Sequence, residues 1–203
     1  TTAIDLNGAT IYSTGAQTYT GAVLLGANTS LTGSGIGFSS TIKSNGTNWS
    51  LTISDSGTTT FGGGIGSSTA GDKLSSLSVT ATTAIDLNGG AIYSTGVQTY
   101  SGPVALGVAS TLTTTNSLVT FGSTVGGAYG LSVSSGSGGV TFSGVVSGVG
   151  AVSLTTSGTT TISNTFGATS LSTGSGSNAL NGGSITTSGA QTYSGAVTLG
   201  ANT

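Results

Sequence analysis

The 203-residue chain contains no cysteine, methionine, histidine, arginine or glutamate, and it has a single proline. The lack of cysteine excludes a disulfide framework and a thiolate metal site. The lack of histidine, arginine and glutamate removes most of the side chains that act as general acids and bases in enzymes. Charged residues make up only 3% of the chain, against about 25% in an average soluble domain. The six charged residues are Asp5, Asp55, Asp72, Asp86, Lys43 and Lys73.

The shortage of charge is greatest in the second half, because the whole stretch from Leu87 to Thr203 carries no charged side chain. Charge repulsion keeps most soluble proteins apart, and a net charge near zero promotes association. We therefore expect lateral or head-to-tail self-association. Two lysines cannot neutralise a nucleic-acid backbone, so no nucleic-acid partner is expected. The longest uninterrupted apolar run, Ala22–Leu25, is too short to span a membrane.

Glycine, serine and threonine together make up more than half of the chain, and much of this composition is organised in a long repeat. Residues 2–32 reappear at residues 83–113, a shift of 81, and return in part at residues 180–203 after a further shift of 93. Such self-similarity is typical of architectures that stack copies of one supersecondary unit. We predict one continuous solenoid, interpreted as a segment of a longer chain. Its parts are repeat unit 1 (1–82), repeat unit 2 (83–175) and the start of repeat unit 3 (176–203).

Short alternating runs between glycine-rich turns predict β-strands. Apolar or β-branched residues alternate with polar ones in these runs, which are Leu51–Ser54, Leu131–Ser134, Val152–Thr155 and Thr160–Ser163. Four Asn-Gly pairs mark turns, and glycine is too frequent for stable helices. Unit 1 divides into coils of about 20 residues, a length that suits a solenoid. The sequence therefore predicts an all-β fold, a parallel β-helix in which successive coils lie about 4.8 Å apart.

Apolar residues that alternate inward are expected to stack on their equivalents in the neighbouring coils. The candidates are Ile11, Val23, Leu25, Leu31, Ile53, Phe61, Ile92, Val104, Leu106, Leu112, Val133 and Phe142. Unit 2 is longer than unit 1, and its additional residues fall between Phe142 and Leu180. We interpret this insertion as part of an extra coil. Roughly nine or ten coils would give a rod on the order of 45 Å long.

An eleven-residue stretch that occurs three times carries a resemblance to known proteins. The copies are Ala16–Gly26, Val97–Gly107 and Ala190–Gly200, and each contains Gln-Thr-Tyr. With the Gly57–Gly64 stretch, they resemble the β-strand repeats of very large bacterial surface proteins, the filamentous-haemagglutinin-type adhesins. The resemblance implies a secreted, right-handed parallel β-helix at the bacterial cell surface, used in adhesion, biofilm matrix or extracellular fibres. It brings no catalytic residues.

These observations favour a structural extracellular β-solenoid that forms a bacterial surface fibre, an adhesin stalk or a biofilm-matrix filament. The alternative is a binding module for glycans or ice. The Gln-Thr-Tyr triplets could supply it with a ligand-binding or stacking ladder, since tyrosine can contact sugar rings. The residues of that ladder would be Gln17, Tyr19, Gln98, Tyr100, Gln191 and Tyr193. A purely structural role, with tyrosine at a corner of the core, would produce the same repetition.

Threonine triplets offer a second candidate surface. They occupy residues 58–60, 113–115 and 159–161 and could form the flat array that an ice-binding solenoid needs. Outward-facing threonine is also common on ordinary sheets. The triplets lie in different phases of the repeat, which weakens the ice-binding interpretation.

No enzymatic activity and no cofactor are predicted. The β-helices that cleave polysaccharides use clustered carboxylates with a basic residue or a metal. Asp5 and Asp86 are equivalent positions in two repeat copies and are expected to lie several coils apart. Four isolated aspartates cannot form rows of calcium ligands. Besides self-association, this interpretation allows glycans or cell surfaces as partners.

Overall fold

The computed structural model describes residues 3–200, so the outermost residues of repeat units 1 and 3 lie outside the described part. Regular structure in this part consists of strands alone. The strands are β1 (Ile4–Leu6), β2 (Ala9–Tyr12), β3 (Gln17–Tyr19), β4 (Val23–Leu25), β5 (Thr29–Gly33), β6 (Ile36–Phe38), β7 (Ile42–Ser44), β8 (Ser50–Asp55), β9 (Thr58–Phe61), β10 (Ser76–Ala81), β11 (Ala84–Leu87), β12 (Ala91–Tyr93), β13 (Gln98–Tyr100), β14 (Val104–Leu106), β15 (Ser110–Thr113), β16 (Val119–Phe121), β17 (Val125–Gly126), β18 (Leu131–Gly136), β19 (Val140–Phe142), β20 (Val146–Thr156), β21 (Thr160–Ile162), β22 (Phe166–Thr173), β23 (Asn178–Leu180), β24 (Ile185–Thr187), β25 (Gln191–Tyr193) and β26 (Val197–Leu199).

The strands stack into three columns, which we call faces 1, 2 and 3 in the order in which each coil visits them. Face 1 begins with β1, β4 and β7, continues through Ile65, which forms isolated parallel bridges to Ile42 and Ile92, and proceeds with β12, β15 and β18. Face 2 is an unbroken ten-stranded sheet, in the order β2-β5-β8-β10-β13-β16-β19-β21-β23-β26. Face 3 begins with β3, β6, β9, β11, β14 and β17. The long strands β20 and β22 each cover the end of face 3 and the following part of face 1, and β24 and β25 complete these two columns.

All strand pairings in the described part are parallel, and the inward row of face 2 shows the register. Each member pairs with the next: Ile11, Leu31, Ile53, Val79, Tyr100, Phe121, Phe142, Ile162, Leu180 and Leu199. Each step along this row advances the chain by one full coil. The predicted parallel β-solenoid with coils of about 20 residues is therefore confirmed, with coils 1 to 10 counted from the N-terminal side. Its handedness stays a prediction.

The core is the narrow apolar column enclosed by the three faces. Every predicted inward residue is buried except Ile11, which is half-buried. Ile11 lies in coil 1, where among the described residues only coil 2 covers it. Burial on both sides is thus what separates inner coils from the first one.

The sequence repeat and the coil are out of phase. Tyr19, Tyr100 and Tyr193 are equivalent in sequence but lie on faces 3, 2 and 1 respectively. The residue four coils beyond Tyr19 in its own column is Leu106, not Tyr100. Each repeat unit therefore begins one-third of a turn earlier than the unit before it.

The insertion in unit 2 is one additional coil. Phe61 pairs directly with Leu87, so unit 1 covers this interval in one coil. In unit 2, Phe142 pairs with Ile162, which pairs in turn with Leu180. The expectation of an extra coil is confirmed.

Candidate interaction surface

The Gln-Thr-Tyr triplets form the same internal hydrogen bond in all three copies. The tyrosine hydroxyl donates to the amide oxygen Oε1 of the glutamine two residues earlier, at 2.8 Å for Tyr19, 3.0 Å for Tyr100 and 3.0 Å for Tyr193. In the first two copies, glutamine Nε2 donates to a main-chain carbonyl of the following coil. That carbonyl belongs to Thr32 for Gln17 and to Thr113 for Gln98, at 2.7 and 3.0 Å. In these two copies, the tyrosine hydroxyl and both polar atoms of the glutamine amide therefore have hydrogen-bond partners within the protein.

Burial of these pairs is complete only in the middle of the rod. Gln98 and Tyr100 are 0% exposed, whereas Tyr19 is half-buried and Gln191 is exposed. Burial raises the pKa of the Tyr100 hydroxyl far above its ordinary value, and it also raises the pKa of the Tyr19 and Tyr193 hydroxyls. The hydroxyls therefore stay protonated and act as donors. A fully buried pair offers no surface to a ligand.

The three Gln–Tyr pairs do not stack on one another, because each lies on a different face. Each of the first two tyrosines instead begins a stack with phenylalanines of the next two coils. Tyr19 lies 4.9 Å from Phe38, which lies 5.6 Å from Phe61, measured between ring centroids. The second stack is Tyr100, Phe121 and Phe142, with centroid distances of 5.3 and 5.0 Å. The rings are nearly parallel and stabilise the core by stacking.

The repeat in the sequence does not indicate Phe38 and Phe121 as members of these stacks. The shift that aligns units 1 and 2 places Phe38 against Val119, so the repeat does not reveal the two phenylalanines as equivalents. The available signal was the spacing from Tyr19 to Phe38 and from Tyr100 to Phe121, which in both cases is close to the length of one coil.

Asp55 is a buried carboxylate at the corner between faces 2 and 3. Its side chain is 3% exposed and accepts hydrogen bonds from the amides of Gly35, Ile36 and Gly57 and from the Thr59 hydroxyl, at 2.7 to 2.9 Å. Burial acts to raise the pKa of this carboxyl, but the four hydrogen bonds outweigh it and hold the pKa below its ordinary value. Asp55 therefore binds the chain's own corner, and its oxygens are already used.

The other described charges are dispersed over the surface. Lys43 pairs with Asp72 at 3.3 Å, and Asp72 also accepts a hydrogen bond from Ser67 at 3.0 Å. This pair joins face 1 to the loop between β9 and β10. Within residues 3–200, no three acidic, histidine or cysteine side chains come together as a metal-binding group.

A row of hydroxyls runs along the outside of face 2. One outward position of each strand pairs with the same position in the next coil, and nine of the ten residues are threonine or serine. The row is Thr10, Ser30, Thr52, Ser78, Thr99, Thr120, Thr141, Thr161, Ala179 and Thr198. We call it the hydroxyl row. Its members repeat at the coil spacing of about 4.8 Å.

Face 2 differs from the other faces in carrying no outward charge on its described strands. Its one charged residue, Asp55, points inward. Face 1 carries Asp5 and Lys43 on its strands, and face 3 carries Asp86. In the corresponding outward row of face 3, by contrast, the residue type changes from coil to coil. This row contains Thr18, Gly37, Thr60, Asp86, Ala105 and Gly126.

The predicted threonine triplets do not form this row. The central residue of each triplet, Thr59, Thr114 or Thr160, is buried. The triplets also lie on three different faces or their corners, so they do not align with one another. Only Thr161 belongs to the hydroxyl row. The row arises from single outward positions in successive coils, which the repeat alignment does not bring together.

The described surface also contains shallow depressions at the corners. One of about 390 Å³ lies between faces 3 and 1 and is lined by small residues such as Gly148, Ala168 and Thr186. No charged side chain lines it. It therefore provides no group for acid–base chemistry.

Comparisons with known proteins found nothing similar. The chain matches no protein-family model, and neither the curated proteins nor the solved structures contain a match. In residues 3–200 there is also no helix that is long and apolar enough to cross a membrane.

Proposed function

We propose that this chain is part of a structural extracellular β-solenoid that forms a bacterial surface fibre, an adhesin stalk or a biofilm-matrix filament. The observation that carries the proposal is the unbroken ten-stranded parallel sheet of face 2, with faces 1 and 3 stacked beside it. Backbone hydrogen bonds in all three faces run along the rod axis. A force along the axis is then shared by many bonds in each coil.

The interior adds to this stiffness. Stacked rings and stacked aliphatic side chains connect each coil to the next. The amides of Gln17 and Gln98 add hydrogen bonds to main-chain carbonyls of the following coil. In repeat proteins each unit stabilises its neighbours, so cohesion grows along the array. The resemblance to bacterial surface repeats supports the extracellular location of such a rod.

Immunogold electron microscopy of the cells that make this protein would test the proposal. Antibodies raised against the chain should label filaments at or beyond the cell surface, and preincubation with the purified chain should abolish the label. Labelling confined to the cell interior would contradict the extracellular structural role.

The second candidate is a binding module for glycans or ice, and the hydroxyl row supports it. A straight, uncharged row of hydroxyls could hydrogen-bond to a neutral periodic surface. Adsorption to insoluble neutral polysaccharides, and depression of the freezing point by the chain, would test this alternative. T120K on face 2 should remove either activity, while T18K on face 3 should leave it intact.

A further inference from the structure

Face 2 combines the hydroxyl row with exposed apolar side chains. Val97 and Leu118 stand immediately before β13 and β16 and lie side by side in coils 5 and 6, where the amide of Gln98 donates to the carbonyl of Leu118. They are 46% and 40% exposed. Tyr12, at the end of β2, is 69% exposed. Only Val97 and Leu118 are adjacent, since Tyr12 lies in coil 1, four coils from Val97. Adjacent exposed apolar side chains are a feature of contact surfaces.

The apolar residues indicate a protein partner. Water or a hydrated glycan would satisfy the hydroxyls but would leave Val97 and Leu118 in contact with solvent. A protein surface can cover the apolar groups and pair with the hydroxyls at the same time. The absence of outward charge on the described strands of this face excludes a partner that is recognised through ion pairs.

We propose that face 2 docks against face 2 of a second copy of this chain, with the two rods antiparallel. Two copies of this face can meet without like-charge repulsion. Faces 1 and 3 carry charged side chains on their described strands, so the same does not hold for every pairing of those faces. This inference rests on the proposed structural role, since it names the partner for lateral association. The pairing is isologous, so each contact occurs twice about a two-fold axis.

The position of the apolar pair fixes the register. Val97 and Leu118 occupy coils 5 and 6, the middle of the ten coils. A two-fold axis that crosses the face between these coils places Val97 against Leu118 of the second copy. It also places Thr10, in coil 1, opposite Thr198 of the second copy, in coil 10. Both copies then overlap along their full described length.

The area indicates a weak and reversible contact for a chain of this length. Ten coils span about 43 Å and three residues across the face add about 10 Å, roughly 430 Å² from each copy. The total of about 900 Å² lies below the roughly 1,200–2,000 Å² that specific stable interfaces bury and in the range of weak, transient contacts. Dimerisation should therefore depend on concentration.

Analytical ultracentrifugation of the whole chain tests the pairing. The wild type should shift from monomer to dimer mass as its concentration rises. T99K/T120K/T141K, which places three lysines on face 2, should move the midpoint to a concentration more than about tenfold higher, because like charges would face each other. The matched variant T18K/A105K/S147K adds three lysines to face 3 and should leave the midpoint unchanged. Circular dichroism should show that both variants remain folded.

Cysteine mapping tests the register independently, because the chain has no native cysteine. An equimolar mixture of T10C and T198C should form the mixed disulfide, and neither variant alone should crosslink. The face 3 pair T18C and T186C should not crosslink. A T10C homodimer, equal crosslinking on face 3, or equal effects of the two lysine variants would overturn the proposal.

A wild type that stays monomeric at all concentrations would also overturn it. The same holds if the lysines on face 2 instead abolish adsorption to a polysaccharide or to ice, since face 2 would then serve the binding module. Neither result would remove the evidence for a structural rod. Labelling inside the cell would refute the extracellular role and leave the pairing intact.

Discussion

Repeat units 1 and 2 place nearly the same sequence on different faces of the rod. Ile4 of unit 1 pairs with Val23 on face 1, and its equivalent Ile85 pairs with Val104 on face 3. The contacts between adjacent coils are therefore preserved although the face changes. The same segment can therefore form the same inter-coil pairings on a different face of the rod. The residues that determine pairing lie within about one coil.

The two units also show how much the neighbouring coils contribute. Tyr19 and Tyr100 make the same hydrogen bond to glutamine and begin equivalent aromatic stacks. Tyr19 lies in coil 1 and is half-buried, whereas Tyr100 is covered by Val79 on one side and Phe121 on the other. The tyrosine ring should thus contribute less to the free energy of unfolding at Tyr19 than at Tyr100.

A third difference concerns the corner at the end of β8 in unit 1 and the equivalent corner at the end of β18 in unit 2. Asp55 closes this corner in unit 1 through four hydrogen bonds. In unit 2, Ser135 takes the buried place and donates to the carbonyl of Gly138. A carboxylate and a hydroxyl therefore serve the same turn, but only the carboxylate titrates.

The largest effect is expected from removing the buried tyrosine. Tyr100→Ala should lower the free energy of unfolding by about 3–5 kcal/mol, the usual cost of deleting a buried aromatic ring. Tyr19→Ala should cost clearly less, because its ring is partly solvated. Urea unfolding of the two variants measures the difference. Equal losses would show that coverage by both neighbours does not set the weight of the ring.

Asp55→Asn should have the next largest effect. The amide Nδ2 would face main-chain donors where the carboxylate now accepts, and leaving such buried groups unpaired costs about 1–3 kcal/mol. Ser135→Ala, which removes a single hydrogen bond, should cost about 1 kcal/mol. Thermal or urea unfolding at neutral pH gives both values. A larger loss of unfolding free energy for Ser135→Ala would contradict the expectation that Asp55 stabilises its corner more than Ser135 does.

The carboxylate should also make unit 1 sensitive to acid. Because folding holds the pKa of Asp55 below its ordinary value of 3.8, its contribution is complete above that pH and is lost as the pH falls through the folded-state pKa. The difference in unfolding free energy between wild type and Asp55→Asn should therefore shrink as the solution is acidified below pH 3.8. Denaturation curves at several acidic pH values would show this. A difference that stays constant would mean that the Asp55 charge is unimportant.

The smallest effect is expected from the ion pair that unit 1 has and the described part of unit 2 lacks. Lys43 and Asp72 are 43% and 25% exposed, so solvent screens their attraction. Lys43→Ala should change the unfolding free energy by no more than about 1 kcal/mol, and less at high salt. A loss comparable to that of Asp55→Asn would show that the loop between β9 and β10 is held mainly by this pair.

The fold could be predicted from sequence because its signals are local. Alternation in Leu51–Ser54, frequent Asn-Gly turns and the coil-length spacing all indicate stacked parallel strands. The inward positions of residues such as Leu25 and Phe142 followed from that alternation and were confirmed. Handedness, secretion and an adhesive role stay predictions.

The phase of the repeat could not be predicted in the same way. Coil length varies from coil to coil, so the shift between units does not reveal how many whole turns it contains. Four coils after Tyr19, its column contains Leu106 and not Tyr100. Both Leu106 and Tyr100 are buried, so their residue types alone do not show which of them lies in the column of Tyr19. The hydroxyl row was hidden for the same reason, because Thr99 and Thr120 are neighbours in space but not equivalents in the repeat.

Paired spin labels test this change of face most directly. Thr52 and Thr99 lie in one column of face 2, two coils and about 10 Å apart, whereas Thr60 lies on face 3. Continuous-wave electron paramagnetic resonance should therefore show strong dipolar broadening for labels on T52C/T99C and much weaker broadening for T60C/T99C. The reverse result would put Thr99 in the column of Thr18 and Thr60, and would contradict a repeat that advances to a new face with each unit.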